Sequence, residues 1–266
     1  MQQYRRVIAF GCSWTRYHWP TYANVISDML QIPLINKARP GIGNVAILHK
    51  MLDYDVNVGF NDDDLILVTW STFAREDRIG ENSKWQSGGN VVESVWYGPA
   101  FAKKYWSAEN DFVRNAGAII MANRIFNIKH QSSINDINEE YDKFLTQHAK
   151  WIHNMPNIER FHLIKPRNTD WHLLINDGHP SVYEHMIHAQ KIAKHIGFDD
   201  VKPVSKLYSE LHCKIISKLE SVKPKRIQKD KERKILWTAV LQSLKELNLP
   251  QNFQGHHQYK NGKWND

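Results

Sequence analysis

The chain has 266 residues, 42% of them hydrophobic and with ten each of Trp, Tyr and Phe, enough to bury a full core without several domains. Its two cysteines, Cys12 and Cys213, support neither a disulfide framework nor a cysteine-based zinc site. The net charge of +7 is concentrated between Lys223 and Lys234, where seven Lys and Arg face only Asp230 and Glu232.

In chain order, Val7-Ile8-Ala9-Phe10 is short, apolar and bounded by glycine, which predicts a buried strand running into Gly11-Cys12-Ser13-Trp14-Thr15. Residues 20–30 carry Tyr22, Val25, Ile26, Met29 and Leu30 at helical spacing, and Pro33-Leu34-Ile35-Asn36 reads as a second strand. Strand, helix, strand opens a parallel sheet. A further helix is expected over 44–51. Leu65 to Trp70 would be apolar on both faces, the mark of a central strand.

The rhythm then breaks. Residues 72–131 hold Gly88-Gly89, Gly98-Pro99 and many aromatics, and read as a largely helical insertion over the site. A helix is expected over 135–153 and a strand over Phe161 to Lys165. Ser181 followed by Glu184 is a capping box, so a helix should begin there and stop at Gly197. Two more helices are expected near 203–220 and 232–247, and Asn261-Gly262 signals a small terminal hairpin. No run approaches the roughly 20 apolar residues of a membrane span. The opening residues lead into a strand instead of a signal segment, so a soluble, cytoplasmic protein without a membrane partner is expected.

A serine hydroxyl becomes a useful nucleophile when a neighbouring base takes its proton, and histidine titrates near neutrality. Ser13 at the end of the first strand and His179 just before a helix fit those roles. In an open α/β sheet, sites form at the carboxyl ends of the strands.

On these residues the chain resembles the SGNH, or GDSL-type, hydrolase superfamily, whose four sequence blocks map in order over about residues 5–197. Gly11-Cys12-Ser13 matches the nucleophile block, with cysteine where the family has aspartate. Asn36 and Gly41 match the second block, whose glycine amide donates to the oxyanion beside the amide of Ser13. Asp177-Gly178-His179-Pro180 resembles the last block shortened by one residue, so the group orienting His179 is Asp177 or Asn176. The third block departs: Ser71-Thr72-Phe73-Ala74-Arg75 stands where the family has Gly-x-Asn-Asp. That leaves Thr72 or Asn44 as the third oxyanion donor, and one lost donor costs roughly 100- to 1,000-fold in turnover. Arg75, Arg78 and Trp14 are expected to bind substrate. The Gly-Cys-Ser-Trp-Thr and Trp-Ser-Thr-x-x-Arg variants resemble divergent bacteriophage-encoded members, which implies a host cytoplasm or a virion as the location.

The resemblance implies a three-layer α/β/α sandwich of flavodoxin-like type over residues 1–200, with the insertion at 72–131 and a basic helical extension over 201–266. It implies a cofactor-independent serine esterase or deacetylase acting on an acylated small molecule or O-acetylated glycan, with Trp85, Trp96 and Trp106 available to a sugar. Two alternatives belong to other classes. One is a noncatalytic SGNH-like virion or host-interaction protein with a decayed third block; the other is a nucleic-acid-binding protein using Lys223–Lys234, which would also suit another polyanion or a protein partner.

Competing motifs are weaker. Gly41-Ile42-Gly43-Asn44-Val45-Ala46 superficially fits a dinucleotide fingerprint, but it follows the second strand after a gap. No Gly-x-Ser-x-Gly elbow surrounds Ser13. His185 and His188 share a helix without a His-Glu-x-x-His pattern, and His256-His257 fall in a terminal loop, so no metal site is expected among the 14 histidines. Cys12 is expected to pack behind the loop.

Overall fold

The computed structural model describes residues 4–79, 85–90, 99–105, 107–134, 150, 153–161, 174, 178–222, 229–250, 259–260 and 263–264. The chain divides into two compact units, one comprising Gln2–Thr15 and Ile35–Phe161, the other comprising Arg16–Leu34 and His162–Asp266 with Met1.

The fold is α/β. Strand β1 (Arg6–Gly11) leads to α1 (Tyr22–Leu30), β2 (Leu34–Asn36), α2 (Asn44–Asn57) and β3 (Asp64–Trp70). After β4 (Arg75–Ile79), β5 (Trp85–Asn90), α3 (Pro99–Tyr105) and α4 (Ala108–Ile125) come β6 (His130–Ser133) and β7 (Glu159–Arg160). The main sheet has the order β2-β1-β3-β6-β7, the flavodoxin-type order when its strands are counted along the chain. Pairs β1/β3, β3/β6 and β6/β7 are parallel, with Phe10 opposite Val68 and Trp70 opposite Ser133.

In the first unit, β3 is buried along its whole length, as its two-sided apolar sequence requires. Phe10, Val68 and Trp70 join Ile47, Met51 and Tyr54 of α2 and Phe112 and Ile119 of α4 in one core. At the start of β3 the buried Asp64 carboxylate takes two hydrogen bonds from Arg6, at 2.6 and 2.8 Å, and one from the Asn61 amide at 2.8 Å. Burial pushes its pKa up, but these donors outweigh burial and leave it below the usual carboxylate range.

Residues 72–131 carry the expected helices, α3 and α4, and also the antiparallel ribbon β4/β5 and the first residues of β6. Neither addition shows the apolar alternation that marks a strand. β6 is an inner strand of sequence His-Gln-Ser-Ser, fully buried. Its polar groups are met from the sides: Trp70 Nε1 donates to Gln131 Oε1 at 2.9 Å, Gln131 Nε2 donates to Asn123, and Thr69 and Ser132 share a hydroxyl contact at 3.0 Å. The described residues of β7, at the edge of the main sheet, are 159–160, directly before the 161–165 stretch expected to form a strand. Residues 162–165 lie outside the described residues, as does most of the 135–153 stretch.

The second unit is helical. α5 (Val182–His195) starts at Ser181 with the expected reciprocal capping box: Ser181 N donates to Glu184 Oε2 at 2.8 Å and Glu184 N to Ser181 Oγ at 3.2 Å. The chain leaves it through Gly197 at φ +77°. α6 (Lys202–Val222) packs on α1 and α5, burying Tyr208, Leu211, Ile215 and Leu219, and α7 (Lys229–Glu246) packs on α6. Tyr208 donates its hydroxyl to Asp28. β8 (Tyr259–Lys260) and β9 (Lys263–Trp264) pair antiparallel, and Asn261 and Gly262 lie outside the described residues. Among the described residues, no helix is long and apolar enough to cross a membrane.

Candidate functional site

β1 ends at Gly11 with φ +150°, where a Cβ would lie 2.3 Å from Thr15 Oγ1 and 2.8 Å from the Thr69 carbonyl. Only glycine fits that approach. The turn beyond it closes when Thr15 N donates to Cys12 O at 3.0 Å, and it holds Ser13 buried at 4% exposure. Cys12 is buried as well. Trp14, expected to touch substrate, is packed edge-on against Phe161 with ring centroids 5.0 Å apart.

The second block is tied to this turn. Asn36 Nδ2 donates to Thr15 O at 2.8 Å, its Oδ1 accepts from Ala38 N, and Arg39 N donates to Gly11 O at 3.0 Å. Gly41 follows with φ +82°, in the left-handed region that favours glycine.

Gly43 is the N-cap of α2 and has no side chain to cap with. Asp77 of β4 does this work from 34 residues away, accepting from Gly43 N at 2.8 and 2.9 Å and from Ala46 N at 3.3 Å. A Cβ on Gly43 would lie 2.8 Å from that carboxylate, so the glycine makes room for it. Burial raises the Asp77 pKa, and the helix amides and nearby Arg75 offset part of the rise. With a protein carboxylate on the helix terminus, the anion position that a dinucleotide fingerprint requires is filled.

The third block joins at the end of β3. The buried Asn44 side chain bridges the backbone of Ser71, its Oδ1 accepting from Ser71 N at 2.7 Å and its Nδ2 donating to Ser71 O at 3.1 Å. Thr72 is half-buried, and its carbonyl accepts from Arg75 N. Arg75 reaches back to the Ile42 carbonyl at 3.2 Å, pinning the third block to the second. Arg78 is exposed, with Glu76 3.5 Å away. Thus the loops carrying Ser13, Gly41, Asn44 and Thr72 are bonded to one another at the carboxyl ends of β1, β2 and β3.

His179 belongs to the helical unit. Its half-buried ring stacks on Tyr17, with centroids 3.9 Å apart and planes 20° from parallel. Tyr17 also meets Trp19 edge-on at 4.6 Å, and Trp19 Nε1 donates to the Pro180 carbonyl at 2.9 Å. One turn into α5, fully buried His185 has its pKa driven from 6.5 to about 3, first by burial and then by the nearby His179. Asn176 and Asp177 lie outside the described residues, as do Trp96, Trp106 and Lys223 to Gln228; Trp85 opens β5. Sequence reasoning missed Asp77, Tyr17 and Trp19. A glycine at an N-cap, which calls for a cap from elsewhere, was the one available signal for Asp77.

No protein-family model matches the chain, and no curated protein matches it in sequence. Solved structures do match. A member of the lipolytic protein G-D-S-L family from Veillonella parvula shares 12% identity over 73% of this chain and 98% of its own, with a TM-score of 0.39. A lipase from a goat rumen metagenome shares 14% over 74% of this chain and 100% of its own, at 0.41. An acetyl xylan esterase from Butyrivibrio proteoclasticus shares 12% over 72% of this chain and 63% of its own, at 0.40. The similar structures are GDSL-type lipolytic proteins and esterases.

Proposed function

We propose that the protein is a serine ester hydrolase, with Ser13 as nucleophile and His179 as general base. The observation that supports the reading is the bonding of the three SGNH-like loops at the carboxyl ends of the strands, with Ser13 buried in the tight turn after Gly11. The cycle starts when Ser13 Oγ attacks the ester carbonyl as its proton passes to His179. The amides of Ser13 and Gly41 stabilise the oxyanion. Collapse expels the alcohol, which takes the proton from His179, and water then hydrolyses the acyl-enzyme. The third donor is Thr72 or Asn44, whose Nδ2 gives one proton to Ser71 O and has a second. Asp177 orients the imidazole in preference to Asn176, since a carboxylate stabilises the imidazolium formed during attack. The substrate class is an acyl ester, with an O-acetylated glycan first among the classes to test.

Covalent labelling by a fluorophosphonate probe and turnover of p-nitrophenyl acetate test this directly. Ser13→Ala should lose both, and His179→Ala should lose turnover, with thermal melts unchanged. Full hydrolysis by folded Ser13→Ala removes the serine mechanism. Absence of labelling and turnover in the wild-type protein favours the noncatalytic alternative, in which the missing third-block asparagine reflects loss of the reaction.

A further inference from the structure

We infer that Tyr17 and Trp19 are positioning residues that set the ring plane of His179, an inference that rests on the esterase reading for its catalytic consequence. An imidazole that must take a proton from one atom and return it to another has to keep its orientation through the cycle, and a misplacement of about 1 Å costs on the order of 100-fold. Hydrogen bonding at one ring nitrogen fixes the tautomer but leaves the ring able to rock about that bond. A flat partner against the face removes this freedom.

Tyr17 supplies such a partner. Its ring lies 3.9 Å from that of His179 and within 20° of parallel, closer and flatter than its edge-on contact with Trp19 at 4.6 Å and 80°. At 6% exposure Tyr17 is itself held in place. Trp19 is fully buried, and it grips the residue after the histidine, because its indole N–H donates to Pro180 O. Ring and backbone of the His179 segment are therefore held by residues two apart on a single stretch of chain. That stretch begins four residues after Ser13, so the clamp is encoded directly downstream of the nucleophile. The N-terminus of α5 completes the support: Ser181 and Glu184 lock the other side of Pro180 through their capping box.

The test uses the full-length protein and reads ring geometry and turnover separately. The His179 Cε1–H signal is identified in a ¹³C-edited NMR spectrum by its absence in His179→Gln, and a stacked ring shifts it upfield. Tyr17→Phe should keep that shift and keep kcat within about threefold. Tyr17→Leu should move the signal downfield and lower kcat on p-nitrophenyl acetate by about 10- to 100-fold, with KM unchanged. Trp19→Phe keeps a ring but loses the donor to Pro180, and should lower kcat in the same way; it serves as the decisive variant should Tyr17→Leu not fold. An unchanged His179 signal in Tyr17→Leu, or unchanged kcat in both folded variants, overturns the inference. A wild-type protein without turnover or probe labelling removes the esterase reading, and the NMR signal then decides the clamp alone.

Discussion

Acidification should unfold this protein partly through one residue, His185. Its side chain is fully buried on α5, 6.4 Å from the Tyr22 ring by centroids, and its pKa lies near 3 instead of 6.5 because burial, and then His179, disfavour the cation. The folded protein keeps this imidazole neutral, whereas the unfolded chain takes up a proton at about pH 6.5. Between those values the unfolded state holds the extra proton, so stability falls as pH falls. Each pH unit is worth about 1.4 kcal/mol, so the drop from pH 6.5 to 4.5 costs about 3 kcal/mol and the whole window about 5 kcal/mol. That is a large share of the roughly 5–15 kcal/mol that holds a domain together. Urea unfolding of the wild type and His185→Leu at pH 7, 5.5 and 4.5 isolates the effect. The wild type should lose about 3 kcal/mol more than the variant across that range. Parallel pH dependences in the two proteins would show that His185 is protonated or solvated in the folded state, and the reasoning would fail.

Three other outcomes follow from the described geometry and the sequence. Asp77→Ala leaves the Gly43 and Ala46 amides of α2 without their acceptor and should destabilise the protein by about 1–2 kcal/mol in chemical denaturation, with Asp77→Asn in between. Asp177→Ala should lose most ester hydrolysis and Asn176→Ala little; the reverse result, read with p-nitrophenyl acetate, gives the orienting role to Asn176. Lys223–Lys234 is proposed as a polyanion-docking run, so duplex DNA binding measured by fluorescence anisotropy should fall steeply with salt. Changing Lys223, Lys225 and Arg226 to Gln should flatten that slope. Salt-independent binding removes the proposal. Substitution is preferred to deletion from residue 201, which would strip α6 from the faces of α1 and α5 that it buries.

The elements legible in the sequence are those whose signals are local. β1, β3 and α1 announce themselves by apolar spacing, and α5 by a capping box four residues long. The elements that were missed depend on partners distant in the chain. β6 has no apolar residue, and Trp70, Thr69 and Asn123 supply hydrogen bonds to its buried Gln131 and Ser132. β4 falls in the stretch read as a largely helical insertion, yet its Asp77 caps a helix whose N-cap, Gly43, lies 34 positions earlier. The site divides the same way. Motif spacing names Ser13, Gly41 and His179 as candidates, while nothing local says that Trp14 packs on Phe161 or that Tyr17 stacks on the histidine. Arg75 is a substrate-ligand candidate by sequence, and nothing local says that its guanidinium also donates to the Ile42 carbonyl.

The polar inner strand bears on how the sheet chooses among alternative pairings. An apolar strand slid two places along its neighbour still presents apolar side chains to the core, so burial alone discriminates weakly between such registers. β6 has no such latitude. Sliding it along β3 would separate Gln131 from the Trp70 indole and Ser132 from Thr69, and would strand several polar groups in the interior, at roughly 1–3 kcal/mol for each. The strand thus contributes uniqueness more than cohesion: it makes misaligned sheets costly, and so fixes where β3 ends and the Ser71-Thr72 loop begins.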